Sequence, residues 1–194
     1  MLLEYTIKRS KRKSIGIAIT DDGVLVRAPL RASRRDIERV VVKHSDWITE
    51  KIAERDSVCS AAREKGILTG EEIGQLIEKA CEYIPGRVAY YARQLGVRPG
   101  KITIRNQRTR WGSCSAKGNL NFNCLLMLTP EEVIDSVVVH ELCHLLEMNH
   151  SPEFYRHVLS VFPDYYEHHA WLKENGKELM ARNANGPSLS GSCR

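Results

Sequence analysis

The chain has 194 residues, 42% of them hydrophobic and 27% charged, a balance that excludes wholesale disorder and suits a soluble globular protein with one core, or a core plus a small appended lobe. Its net charge of +5 is a mild basic excess, which favours anionic partners without specifying one and leaves nucleic acid open. No apolar run is long enough to cross a bilayer. The opening MLLEYTIKRSKRKS also sets a glutamate and basic residues where a secretory signal needs its apolar core, so a cytoplasmic protein with no membrane partner is expected.

The opening fifth alternates with period two, through EYTIKR, SIGIAIT, a DDG turn and VLVRAP. These stretches predict a small antiparallel β-meander, with KRSKRK (residues 8 to 13) as a solvated hairpin turn. Ser33 then caps a helix whose Ile37, Val40, Val41, Trp47 and Ile48 share a face and cover the meander. Residues 56 to 70 have mixed composition and two glycines, and they are expected to form a linker. GEEIGQLIEKACEYIPGRVAYYARQLG predicts a helix interrupted at Pro85 and Gly86 and ended by Gly96.

KITIRN and NLNFNCLLML predict two strands, joined by the loop QRTRWGSCSAKG. Thr129, Pro130 and Glu132 form a capping-box pattern that starts a helix expected to reach about Asn149. That helix is apolar on nearly every side, with Asp135, Ser136, Cys143 and Glu147 as a narrow polar strip, so it belongs inside a lobe. Ser151 and Pro152 open another helix, PDYYEHHAWLKENGKELMARN supplies the last, and the tail is expected to fray. The resulting division is an N-terminal lobe at 1–66, a second lobe at 67–183 and a flexible tail at 184–194. The six cysteines, at 59, 81, 114, 124, 143 and 193, form no CxxC pair and are expected to be free thiols.

His140, Glu141 and His144 compose an HExxH motif on the apolar helix. Residues four apart lie above one another, so the two imidazoles face one point and can grip one metal ion. Glu141 is offset by about a third of a turn, too far round to ligate easily but placed to act as a general base on a water held there. Unpaired, these polar groups would each cost several kcal/mol inside an apolar helix; a cation satisfies them together. A catalytic zinc needs a third protein ligand. His150 is preferred on its spacing of six from His144 and on Asn149, which suits a left-handed turn, with His157, His168, His169, Asp164 and Glu147 as rivals. Arg110 and Tyr155 are candidates for stabilising charge on the substrate.

TRWGSCSAKGNL, VVVHELCHLLEMNHSPEFY and FPDYYEHHAWL together resemble the YgjP-like metal-dependent hydrolase family, related to the SprT-like and WLM zinc peptidases. RAPLRASRRDIERVV and YYARQLGV extend the resemblance over nearly the whole chain. It implies an α+β fold with a gluzincin-like (zincin-like) catalytic lobe, zinc held by His140, His144 and His150, and Glu141 as catalytic base. Cys143 stands where a small residue such as alanine would be usual, and is assigned to packing.

Three functions compete. The first is a zinc-dependent metallopeptidase whose NLNFNCLLML strand offers its edge to an extended peptide or protein substrate. The second uses the same Zn²⁺ on a nucleoside triphosphate, with Lys8 to Lys13, Arg105, Arg108 and Arg110 as phosphate partners, although no Gly-rich phosphate loop of Walker type is present. The third is a non-catalytic zinc-containing binding module, which three histidines beside a glutamate fit less well.

Overall fold

The computed structural model describes residues 4–20 and 22–183 together with the backbone of 190–192. The described chain is a mixed α+β fold of two compact units, residues 1–60 and 61–194. None of its described helices is long and apolar enough to cross a membrane.

In the first unit, β1 (Tyr5–Ser10), β2 (Gly16–Thr20) and β3 (Gly23–Pro29) form a sheet in the order β1-β3-β2. The β2–β3 hairpin is antiparallel, as expected, but β1 pairs with β3 in parallel, so the sheet is not an antiparallel meander. The reason lies in burial. Only β3 buries a full alternating set, Val24, Val26 and Ala28, and it takes the centre, whereas β1 is exposed along most of its length and suits an edge. KRSKRK is therefore the end of β1 and a crossover rather than a hairpin turn, and Arg9 bonds across to the carbonyls of Pro29, Leu30 and Ala32.

Ser33 caps α1 (Arg34–Lys43) by accepting from the Asp36 amide. The expected long helix breaks at His44, and α2 (Ser45–Glu64) begins directly after it. The break shifts the helical phase, so Ile37, Val41 and Ile48 join the sheet core while Trp47 stays 41% exposed. The expected linker is largely absent, because α2 runs through residues 56–64 and across the boundary between the units.

In the second unit, α3 (Gly70–Leu95) has a full capping box from Thr69 and Glu72 and ends on left-handed Gly96. It continues through Pro85 without the expected interruption. Ile73, Leu76, Ala80, Ile84, Val88 and Tyr91 form one buried stripe along it. Packing of that stripe outweighs the roughly 3 kcal/mol that an internal proline costs. The sheet beside it has the order β5-β6-β4-β7, from β4 (Ile102–Arg105), β5 (Gly112–Cys114), β6 (Leu120–Asn123) and β7 (Ser190–Ser192). The expected second strand is thus shorter than NLNFNCLLML, since Cys124–Leu128 turn into a 3₁₀ helix. Apart from 190–192, the tail expected to be flexible lies outside the described residues.

The central helix, α4 (Glu131–Cys143), is buried at ten of its residues and packs on α3. Its start differs from the expected capping box: Pro130 is the cap residue without a side-chain bond, and the Thr129 hydroxyl donates to the Leu126 carbonyl instead. The narrow polar strip is buried at Asp135, Ser136 and Cys143, as a helix inside a lobe requires. Asp135 accepts from Arg87 Nε at 2.7 Å and Nη2 at 2.5 Å, and from the Tyr91 hydroxyl at 3.0 Å, tying α4 to α3. This partner raises the Arg87 pKa further above its usual value. After α4 come α5 (Pro152–Val161), capped by Ser151, and α6 (Tyr165–Ala181).

Candidate metal centre

Helical spacing sets His140 and His144 one turn apart, and α4 ends at Cys143, short of the expected Asn149. The amides of Leu145, Leu146 and Glu147 bond back to the carbonyls of Leu142 and Cys143, tightening the chain into a turn. That turn brings the Glu147 carbonyl to 3.1 Å from His144 Nδ1, which donates to it and leaves Nε2 with a lone pair. Asn149 is not left-handed, since no described non-glycine residue has positive φ; the turn at the helix end does the work assigned to it.

His150 comes back over the helix end just before Ser151 caps α5. Nε2 of His140 then lies 3.2 Å from Nε2 of His144 and 3.0 Å from Nε2 of His150. The Phe154 ring, fully buried, is 5.0, 4.7 and 4.8 Å from the rings of His140, His144 and His150, an apolar floor that fixes all three.

The three histidines fit a metal ion. A tetrahedral ion with bonds of about 2.0–2.1 Å to nitrogen holds its ligand atoms roughly 3.3 Å apart, close to the spacings here. Burial first, then the neighbouring His144, His150 and His169, pushes the His140 pKa down to about 3, and burial also lowers that of His144. Neutral imidazoles are the ligating form. One shared proton can bridge one pair of nitrogens, but a cation satisfies three facing lone pairs at once.

Glu141 is 6% exposed and sits behind β5, where the Cys114 amide donates to its carboxylate. Burial raises its pKa to about 7, against the lowering effects of Arg110 and the Cys114 amide. It lines, with His140, a cavity of about 250 Å³ whose walls also include Arg110, Trp111, Tyr165 and His169. Gly112 touches the carboxylate so closely that a Cβ there would lie 2.6 Å from Oε1.

The structure brings Arg110 to this cavity as an exposed side chain, while Tyr155 stands to one side with its ring 6.4 Å from that of His150. Among the rival ligands, His157 faces Glu153 on α5, His168 packs on Phe162, Asp164 precedes α6, and Glu147 contributes only its carbonyl. His169 stands behind the cluster, bonded to Tyr165. The buried thiol of Cys143 packs in the core, and Cys59, Cys114, Cys124 and Cys143 are free of disulfides.

Both edges of β6 are paired, by β5 and β4, so the strand expected to offer its edge to a peptide cannot do so; β5 is the edge strand, and it lies beside Glu141. Several functional positions had no sequence signal of their own. The sequence assigns no role to Phe154 or Tyr165, and to Asn123 only a place in the expected strand. In fact Asn123 Nδ2 donates to the carbonyls of Gln107 and Arg110, clamping the loop that carries Arg110 and Trp111.

A family model described as "YgjP-like, metallopeptidase domain" matches residues 13–76 and 74–175. Neither the curated proteins nor the solved structures contain a match to this chain.

Proposed function

The chain belongs to the YgjP-like family, and from that premise we propose that it is a zinc-dependent metallopeptidase of zincin-like architecture, with His140, His144 and His150 as metal ligands and Glu141 as general base. The observation that carries this reading is the convergence of three imidazoles beside a buried carboxylate. Zinc is preferred because three imidazoles with room for water are a common donor set for it.

A bound zinc ion would polarise the attacked carbonyl and lower the pKa of water toward about 7. Glu141, held near that value, takes the proton of the attacking water and delivers it to the leaving nitrogen. The Cys114 amide and Gly112 fix the carboxylate for both transfers. Arg110 is placed to stabilise negative charge on the attacked oxygen from the cavity wall, with the Tyr155 hydroxyl as the alternative. A substrate peptide lies extended along β5, pairing with that edge as an added strand.

The test incubates zinc-loaded protein and its Glu141→Ala variant with one pool of unfolded peptides and nucleoside triphosphates, and reads the products by mass spectrometry. Peptides cut by the wild type alone are expected. Hydrolysed triphosphates with intact peptides would move the same centre to phosphoanhydride chemistry and refute the peptidase assignment.

A further inference from the structure

The three-histidine cluster has one contact that neither the motif nor the family assignment accounts for. Tyr165, at the start of α6, is only 2% exposed, and its hydroxyl lies 2.8 Å from His140 Nδ1. On its other side the same hydroxyl lies 3.3 Å from Nδ1 of His169, one turn further along α6. The phenol and His140 rings stack with an 18° angle between their planes, and the His169 ring stacks on the phenol at 21°. The three rings thus lie in near-parallel planes in a row running from the cluster to the exposed His169.

We infer that Tyr165 is a positioning residue for the metal centre: its hydroxyl accepts from His140 Nδ1 and donates to His169 Nδ1, locking His140 in the tautomer that presents Nε2 to the metal. This inference rests on the three-histidine reading of the site. The His140 Nε2 atom faces both partner nitrogens at 3.0–3.2 Å. A neutral imidazole carries one proton, and a ligating Nε2 requires that proton on Nδ1. The nearby Tyr165 oxygen must then act as acceptor. Its own hydrogen points elsewhere, and His169 Nδ1 supplies the matching lone pair.

The opposite polarity, with Tyr165 donating to His140, would force the His140 proton onto Nε2, into the middle of the cluster. The direction of two hydrogen bonds outside the cluster therefore decides whether His140 can ligate. His144 gets the same service from a carbonyl, which can only accept. A hydroxyl can accept or donate, so His140 needs the third member, His169, to fix the sense.

The experiment measures zinc affinity by competition with a chromogenic chelator for the full chain and for Tyr165→Phe and His169→Phe. It is combined with two-bond proton–nitrogen NMR of the imidazoles in the zinc-loaded wild type. Removing an outer partner of a ligating histidine typically weakens metal binding about 10- to 100-fold, and that loss is expected for Tyr165→Phe, with a smaller loss for His169→Phe although it lies outside the cluster. The NMR is expected to show His140 protonated at Nδ1 and His169 at Nε2. Zinc affinity unchanged within about twofold in Tyr165→Phe, or a His140 proton on Nε2, would overturn the inference and leave the metal site standing. Should Tyr165→Phe not fold, the wild-type tautomers and the His169→Phe affinity decide. A wild type that takes up no zinc would instead overturn the three-histidine reading, and the inference with it.

Discussion

Gly112→Ala is a one-methyl test of how tightly the base is held. A Cβ on Gly112 would lie 2.6 Å from Glu141 Oε1, 2.7 Å from its Cγ and 2.9 Å from its Cδ. Non-bonded carbons sit comfortably at about 3.5–4.0 Å, so the side chain must retreat by roughly 1 Å. Gly112 is not among the glycines with positive φ, so alanine fits the backbone and the contact alone carries the effect. Glu141 is buried and has little room to give. Overpacking of this kind costs about 1–3 kcal/mol in stability, and a 1 Å displacement of a reacting group costs about 100-fold in rate. The assay compares peptide hydrolysis, zinc stoichiometry and Tm for the wild type and Gly112→Ala. The expected outcome is a full complement of zinc, a Tm lower by a few degrees and kcat/KM down about 100-fold. A folded, zinc-loaded variant within about threefold of the wild type would refute the packing argument. So would loss of zinc together with activity, because the strain would then fall on α4 and its histidines rather than on the carboxylate.

Three further outcomes follow from contacts on the same helix and loop. Asp135→Ala strands the Arg87 guanidinium and the Tyr91 hydroxyl; because Arg87 keeps 30% exposure, the loss in chemical denaturation should fall somewhat below that of a fully buried pair, at about 2–3 kcal/mol. In the metal-free protein the Glu141 pKa is raised from 4.5 to about 7, so the folded state holds the extra proton and its stability falls as pH rises through that window. Glu141→Gln removes that loss: relative to wild type it should gain stability on the order of 3 kcal/mol between pH 4.5 and pH 7, and a pH-independent difference in urea midpoints would contradict the burial argument. Asn123→Ala frees the carbonyls of Gln107 and Arg110 inside the protein, which should cost at least about 2 kcal/mol and speed tryptic cleavage at Arg108 and Arg110. An unchanged digestion rate would show that the loop is held by something else.

The histidine cluster is the most legible part of the chain because its geometry is local. A spacing of four on a helix sets His140 over His144, and His150 follows within one short turn. What escaped the sequence is what distant residues decide. Asp135 and Ser136 look like a polar face until Arg87, 48 positions away, is found bonded to Asp135. Tyr165 is 25 positions from His140, and nothing in the local pattern marks it as that histidine's partner. The path of Pro85 through α3 depends on a stripe packed against α4 and the sheet, which outweighs the local rule. Strand order failed for the same reason: alternation predicts β1, β2 and β3 individually, but only their unequal burial makes β3 central and β1 its parallel neighbour. The peptide edge was misassigned because GSC at 112–114 is too short to announce a strand, yet it covers one edge of β6 and becomes the edge itself.

The most direct test of the central claim is the zinc content of the purified full chain after equilibrium dialysis, measured by mass spectrometry of the element alongside His150→Ala. One ion per chain in the wild type and near-complete loss in His150→Ala are predicted. A metal-free wild type, or a full complement retained without His150, would contradict the three-histidine centre.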